Sequence, residues 1–173
     1  FIFFTDAVCD KKLHKKIITD NQKIAFARLQ DANFYIEEDL RSELEDHYQN
    51  LDKVIFHEKL GNIKEKTKRI ENLAEFVSLW IPHCPINLIQ QTAKYCKADL
   101  TTKTVAEFTS LQGKIGSFFA KKEGLDQELY EAIYEHYLPN SVSSDLPQTP
   151  LGAAIAISDK VDTITGFFLA GNK

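Results

Sequence analysis

Apolar residues recur every three or four positions along most of this chain, a spacing that commits it to helices before anything else about it is known. From Asp20 onward, Ala25, Leu29, Ala32, Ile36, Leu40 and Leu44 fall on one helical face, with Asp20 or Asn21 able to cap the start. Ser42 and Glu45 have capping-box spacing and mark a break into a second helix reaching Leu51. The chain turns at Gly61, and Asn62 caps a helix whose stripe is Ile63, Ile70, Leu73, Val77 and Trp80. Pro82 and Pro85 end it, because proline lacks the amide donor and blocks the preceding turn. Asn87 opens the next helix, through Leu88, Ala93 and Cys96 to Leu100. Thr104 and Glu107 again have capping-box spacing, and Gly113 with Gly116 suggests a bend or a tight backbone approach. Gly124 suits a helix C-cap, and Asp126 starts a helix carrying Leu129, Ile133 and Tyr137 that stops at Pro139. After a loop over 139–150, Pro150 suits the first turn of a last helix with Leu151, Ala154, Ile155, Val161, Ile164 and Phe168 on its buried side.

The fold class that follows is mainly α, an irregular bundle of about six or seven helices. A short strand at 1–5, FIFFT, stands before it as the remnant of a preceding domain. No internal repeat, heptad run or apolar stretch of membrane-spanning length is present. The chain opens on Phe1 and has no methionine, the pattern of a piece cut from a longer polypeptide, and its first residues have their apolar side chains before the basic ones, the reverse of a secretory signal. Three cysteines without a C-x-x-C pair argue against a disulfide framework or a zinc ribbon and fit reduced thiols in cytosol. With 21 basic and 25 acidic residues the net charge is −4, so any nucleic-acid contact has to come from a local basic patch.

Four segments carry a resemblance: ARLQDANFYIEEDL at 27–40, VIFHEKLGNIKEKTKRIENLAEF at 54–76, KADLTTKTVAEFTSLQGKIG at 97–116, and EHYLPNSVSSDLPQTPLGAAIAISDKVDTITGFF at 135–168. In this order and spacing the chain resembles the beta subunit of the bacterial two-subunit glycyl-tRNA synthetase. The resemblance implies a heterotetramer of two alpha and two beta subunits in the cytoplasm. The alpha subunit there holds the class II site that uses ATP and Mg to activate glycine, and the beta subunit serves tRNA recognition. It further implies that residues 28–173 form an HD-type helical domain, named for metal-dependent phosphohydrolases, with 1–27 as the tail of a preceding domain. The partners implied are the alpha subunit and glycine tRNA, with neither membrane nor DNA. No cofactor is expected in this piece.

A working HD site needs a His, a His-Asp pair and a distant Asp, because imidazole and carboxylate ligands hold the ion that activates water. The pair position reads Ala98-Asp99, the distant carboxylate is Asp159, and the first histidine position falls near Asn72, where no histidine stands. Lys97 adds a positive charge beside what is left. Asp99, Asp159 and Lys97 are therefore expected as a remnant pocket without a catalytic metal, the two aspartates acting as structural ion pairs or caps. His14, His47, His57, His83 and His136 show no ligand spacing and read as structural. There is no G-x-S-x-G, no Cys-centred motif and no phosphate loop, so no catalytic residue is assigned.

The basic stretch KLGNIKEKTKR at 59–69 supplies candidates for tRNA phosphates in Lys59, Lys66 and Arg69, with Arg28 and Lys103, and Lys97 beside them, as secondary ones. Two rival readings are an active HD phosphohydrolase and a structural module joining subunits or domains.

Overall fold

The computed structural model describes residues 10–171, so the strand expected at 1–5 and Cys9 lie outside the described residues. Helix α1 (Lys11–Asp39) starts earlier than the sequence suggested, because Asp10 caps it: its carboxylate accepts the amides of Lys12 and Leu13 at 2.9 and 2.8 Å. Nothing between Lys11 and Asp20 breaks a helix, and α1 passes through positions 27 and 28 without interruption. Its apolar face is only partly covered, with Ala25, Ala32 and Ile36 half-buried. Leu29 is 69% exposed, and Asp39 is the one buried residue of α1.

A turn leads to α2 (Leu44–Gln49), where the box forms one residue away from the expected pair: Asp46 accepts the Glu43 amide at 3.2 Å. A 3-10 turn over Asn50–Lys53 precedes a small antiparallel hairpin, β1 (Ile55–His57) and β2 (Gly61–Asn62), in which Ile55 pairs with Asn62 and His57 with Gly61 across a bulge. Gly61 has φ +82°, a left-handed conformation that a side chain would strain. The Asn62 cap of α3 (Ile63–Ser78) is as the sequence predicted: Asn62 accepts the Glu65 amide and Glu65 accepts the Asn62 amide, both at 2.9 Å. Trp80 lies past the end of α3 and is 76% exposed, so it does not continue the buried stripe.

Helix α4 (Ile86–Tyr95) follows Pro85, and a 3-10 turn over Ala98–Thr101 leads into α5 (Lys103–Glu107). Thr102, not Thr104, caps α5 by accepting the Val105 amide at 3.1 Å. The Thr104 hydroxyl is committed to Asp39 at 2.7 Å. Helices α6 (Lys114–Lys122), α7 (Gln127–Glu135) and α8 (Pro150–Ala170) complete the bundle, α7 capped by Asp126 and α8 by Thr149 with Pro150 in its first turn. The architecture is mainly α, with one two-stranded hairpin among the described residues.

Two apolar clusters fill the interior. One joins Leu44, Leu51, Ile115, Phe119, Leu129 and Ile133; the other joins Ile70, Ala74, Ile89, Ala93, Leu151 and Ile155. Each fully buried Leu or Ile contributes about 1.5–3 kcal/mol by leaving water, and Ile70→Ala would cost about 2–5 kcal/mol through the cavity it opens. The segment Cys96-Lys97-Ala98 crosses between the clusters, with Cys96 in one and Ala98 in the other. Helix α8 changes character along its length. Leu151, Ala154 and Ile155 are buried as the period predicts, whereas Val161, Ile164 and Phe168 are 43%, 58% and 68% exposed. In its second half the face turned toward the interior carries Asp159 and Asp162 instead of aliphatic residues, which turns the apolar ones outward.

Candidate functional site

The polar groups of that inner face meet two lysines at the seam between the clusters. Lys97 Nζ donates to Asp159 Oδ2 at 2.6 Å. Lys66 Nζ, from α3, lies 2.8 Å from Asp159 Oδ1 and 2.9 Å from Asp162 Oδ2, and donates to the Thr163 hydroxyl at 2.7 Å. The Phe56 ring sits 4.5 Å from the Lys66 ammonium. Arg69 closes the network from the solvent side, its Nε donating to Asp162 Oδ1 at 2.6 Å. Lys66, Lys97, Asp159 and Asp162 are all buried, so the charges act on each other through little water. Burial by itself would raise the Asp159 carboxyl; the Lys97 ammonium, with Lys66 behind it, outweighs burial and holds it well below the ordinary carboxylate range.

Asp99 is in the same region but does a different job. Its Oδ2 accepts the Gly113 amide at 2.6 Å and the Gly116 amide at 3.3 Å, which ties the start of α6 to the 3-10 turn after α4. Gly113, at φ +77°, is needed for the approach, and a side chain at Gly116 would find little room. A Cβ on Gly113 would come within 2.7 Å of the Tyr137 ring, and one on Gly116 within 3.3 Å of the Asp99 carboxyl carbon. Burial pushes the Asp99 carboxyl up to about 6, against the pull of those two amides. His136 is fully buried and donates from Nδ1 to the Ile133 carbonyl at 2.6 Å, since a carbonyl can only accept. Burial, helped by Lys97, holds the imidazole well below its usual value, so it is neutral. Tyr137 stacks near it, ring centroids 4.0 Å apart, with the Lys97 ammonium 4.0 Å from the phenol ring. Asp99 Oδ1, His136 Nε2 and Tyr137 Oη are buried and without hydrogen-bond partners among the described residues.

Of the three residues expected as a remnant pocket, Lys97 and Asp159 are thus brought together as an ion pair, and Asp99 serves as a cap. The position read as the missing first histidine, Asn72, does not face Asp159. It is exposed, and the residue that α3 directs at Asp159 is Lys66, six positions earlier. Among the described residues no group of three or more His, Cys, Asp or Glu side chains could hold a metal ion.

The basic candidates separate. Lys66 is 3% exposed and paired with two carboxylates, which removes it from any surface that a phosphate could reach. Lys59 and Arg69 line, with Lys68 and Asn72, a groove of about 850 Å³ between α3 and α8. There Lys59 Nζ donates to the Ala170 carbonyl at 2.8 Å and Arg69 is held by Asp162 and by the Leu60 carbonyl at 3.2 Å. Arg28 and Lys103 lie apart, where α1 meets α5: Arg28 is 3.5 Å from Glu107 and covers the Phe108 ring at 4.4 Å, and Lys103 pairs with Glu38.

Two structural carboxylates escaped the sequence reading. Asp39 accepts the amides of Lys103 and Thr104 at 3.0 and 2.8 Å, and Glu135 accepts those of Gln148 and Thr149 at 3.1 and 2.9 Å. Their only sequence signal is an acid ending a helix, which is too common to single out.

The glycyl-tRNA synthetase beta subunit family model matches residues 1–173. The chain is similar to the glycine–tRNA ligase beta subunit of Persephonella marina, 39% identical over 171 residues that make up 99% of this chain and 24% of that protein. It is 44% identical to the corresponding subunit of Syntrophus aciditrophicus over 148 residues, 86% of this chain and 21% of that protein. With that of Listeria monocytogenes it shares 43% identity over 152 residues, 86% of this chain and 22% of that protein. The chain therefore spans about a quarter or less of the length of the curated relatives it matches.

Proposed function

This chain belongs to the glycyl-tRNA synthetase beta subunit family, and we propose that it serves glycine–tRNA ligase as a tRNA-binding and tRNA-positioning piece without a catalytic centre of its own. On this reading residues 28–173 are an HD-type helical scaffold whose metal site has degenerated, and residues 1–27 lead in from a preceding domain. ATP and Mg act in the alpha subunit, which is the partner in the cytoplasm together with glycine tRNA.

The observation that carries the non-catalytic part is the company Asp159 keeps. A divalent cation needs carboxylates free to coordinate it and few competing positive charges. Here Asp159 is shared by two ammonium groups, Asp162 by an ammonium and a guanidinium, and Asp99 is turned onto backbone amides. These donors do not fit a metal, and that argues against the rival of an active phosphohydrolase. Family membership supports the tRNA role.

A second reading, a module that joins subunits or domains, draws support from the apolar surface of α8 at the groove, where Ile164, Phe168 and Leu169 are more than half exposed. Ultraviolet crosslinking of glycine tRNA to the intact two-subunit enzyme, mapped by peptide mass, tests the choice. Crosslinked peptides within 10–171 are expected; crosslinks confined to the rest of the beta subunit would defeat the tRNA role and leave the joining one.

A further inference from the structure

We propose that the first half of α1 is a docking surface for the phosphate backbone of RNA, an inference that rests on the tRNA-handling reading above. Lys11, Lys12, Lys15, Lys16 and Lys23 follow one another on α1. At about 100° per residue they fall within an arc of about 140°, and they extend over about 18 Å of helix axis. All five are exposed, while Ile17, Ile18, Asn21 and Ala25 on the other side of the helix are partly covered. The lysine face therefore looks outward.

Among the described residues the charge on this face is not balanced. Among the described residues Lys11, Lys12, Lys15 and Lys16 pair with no carboxylate, and Lys23 approaches Asp20 only at 3.9 Å with both side chains largely in solvent. Asp10, the acid closest in sequence, is committed to the Lys12 and Leu13 amides. By contrast, most of the residues that the sequence offered as RNA contacts are committed to internal carboxylates: Lys66, Arg69, Lys97, Arg28 and Lys103 all pair with Asp or Glu.

The arrangement also runs against the helix that carries it. Four lysines crowd the end where the macrodipole favours acids, and the first turn holds none. Lys11 with Lys15, and Lys12 with Lys16, are like charges one turn apart. Exposed cations that weaken their own helix and have no acidic partner among the described residues are accounted for by an anionic partner. A row of this length matches the axial rise of on the order of five nucleotides of a duplex strand. An anionic membrane would require a continuous apolar face opposite the lysines, and although Leu13 and Ile24 on that side are 41% and 68% exposed, Asp20, Asn21 and His14 interrupt them.

The test uses the intact two-subunit enzyme with Lys11, Lys12, Lys15 and Lys16 all changed to Gln, and a second variant with all four changed to Arg. Glycine tRNA affinity is measured across a salt series, beside a tRNA of other identity and vesicles containing phosphatidylserine. The Gln variant is expected to bind both tRNAs at least about tenfold more weakly near 0.1 M salt, with the log–log salt slope shallower by about 2–4. The Arg variant should bind like the parent, and the melting temperature of the Gln variant should stay level or rise slightly, because the four side chains are exposed and their charges oppose the helix that carries them. Unchanged affinity and slope in the Gln variant, while crosslinks to tRNA still fall elsewhere in 10–171, would overturn this surface and leave the tRNA role intact. Loss of vesicle binding with tRNA affinity unchanged would overturn the RNA assignment as well. No crosslink anywhere in 10–171 would sink the tRNA role and this surface with it.

Discussion

Asp159→Asn removes one charge and almost no volume, so its cost reads the buried ion network directly. In the parent, Asp159 receives Lys97 at 2.6 Å and Lys66 at 2.8 Å, with 9% of the residue exposed. The variant leaves Lys97 with the Tyr137 ring at 4.0 Å, the Asp99 carboxylate and a neutral amide oxygen in place of its paired charge, while Lys66 keeps Asp162 at 2.9 Å. Breaking a buried pair from one side costs about 3–5 kcal/mol. Because Lys66 stays paired, the low end applies, about 3 kcal/mol, or a fall in melting temperature of about 6–12 °C for a domain of this size. Urea unfolding followed by circular dichroism at pH 7 measures it. Lys97→Met combined with Asp159→Asn should cost less than the two single changes added together, by about 0.5–3 kcal/mol. The pH profile gives a second reading. The folded Asp159 carboxyl sits below its unfolded value, so the stability it contributes is present above the unfolded value of about 3.9 and is lost as pH falls through the folded one. The gap between parent and variant should therefore persist at pH 5 and close only in stronger acid. A loss below about 1 kcal/mol at pH 7, typical of an exposed pair, or a gap that closes by pH 5, would refute the reasoning.

Asp99 behaves in the opposite sense. Its carboxyl is raised to about 6 in the folded chain, so protonation favours folding, and its contribution should fall as pH rises from about 4 to about 6; that slope should be absent from urea titrations of Asp99→Asn. Asp39→Ala leaves the Lys103 and Thr104 amides and the Thr104 hydroxyl without their acceptor, and should cost about 2–4 kcal/mol, with faster hydrogen exchange over 103–107. Arg28→Ala, whose pair with Glu107 is half exposed, should change stability by less than about 1 kcal/mol. Lys66→Gln should lower stability and leave tRNA affinity per folded molecule unchanged, as binding at a temperature where both proteins are folded would establish.

Where a structural signal is local, the sequence carried it. The Asn62–Glu65 box, the Asp126 cap, Pro150 in the first turn of α8 and the stops near Pro82 and Pro139 each involve residues a few positions apart, and each stands where expected. The stripes failed where helical period was taken for burial. Leu29, Trp80, Ile164 and Phe168 keep the spacing of a core and face solvent, because the period says that residues share a face and not that anything covers it. Lys97 and Asp159 meet as an ion pair and Asp99 caps backbone amides apart from them, the two structural roles that the residues allowed. Lys66 was misplaced on a surface because its partners, Asp159 and Asp162, lie more than ninety residues away in sequence, and a basic run of mixed charge looks solvated until the opposite helix is in place.

Helix α1 is fastened near one end. Asp39 holds α5 by three hydrogen bonds, and Arg28 rests on Phe108, whereas the lysines begin at the other end of the same continuous helix. From Arg28 back to Lys11 is about 26 Å at helical rise, so any tilt at the α5 contact would be magnified at the lysines. A tilt of about 10° there sweeps the lysine tip through about 4–5 Å without breaking a helical hydrogen bond. Leverage of this kind would let a small adjustment at a buried carboxylate set where the charged tip meets its partner.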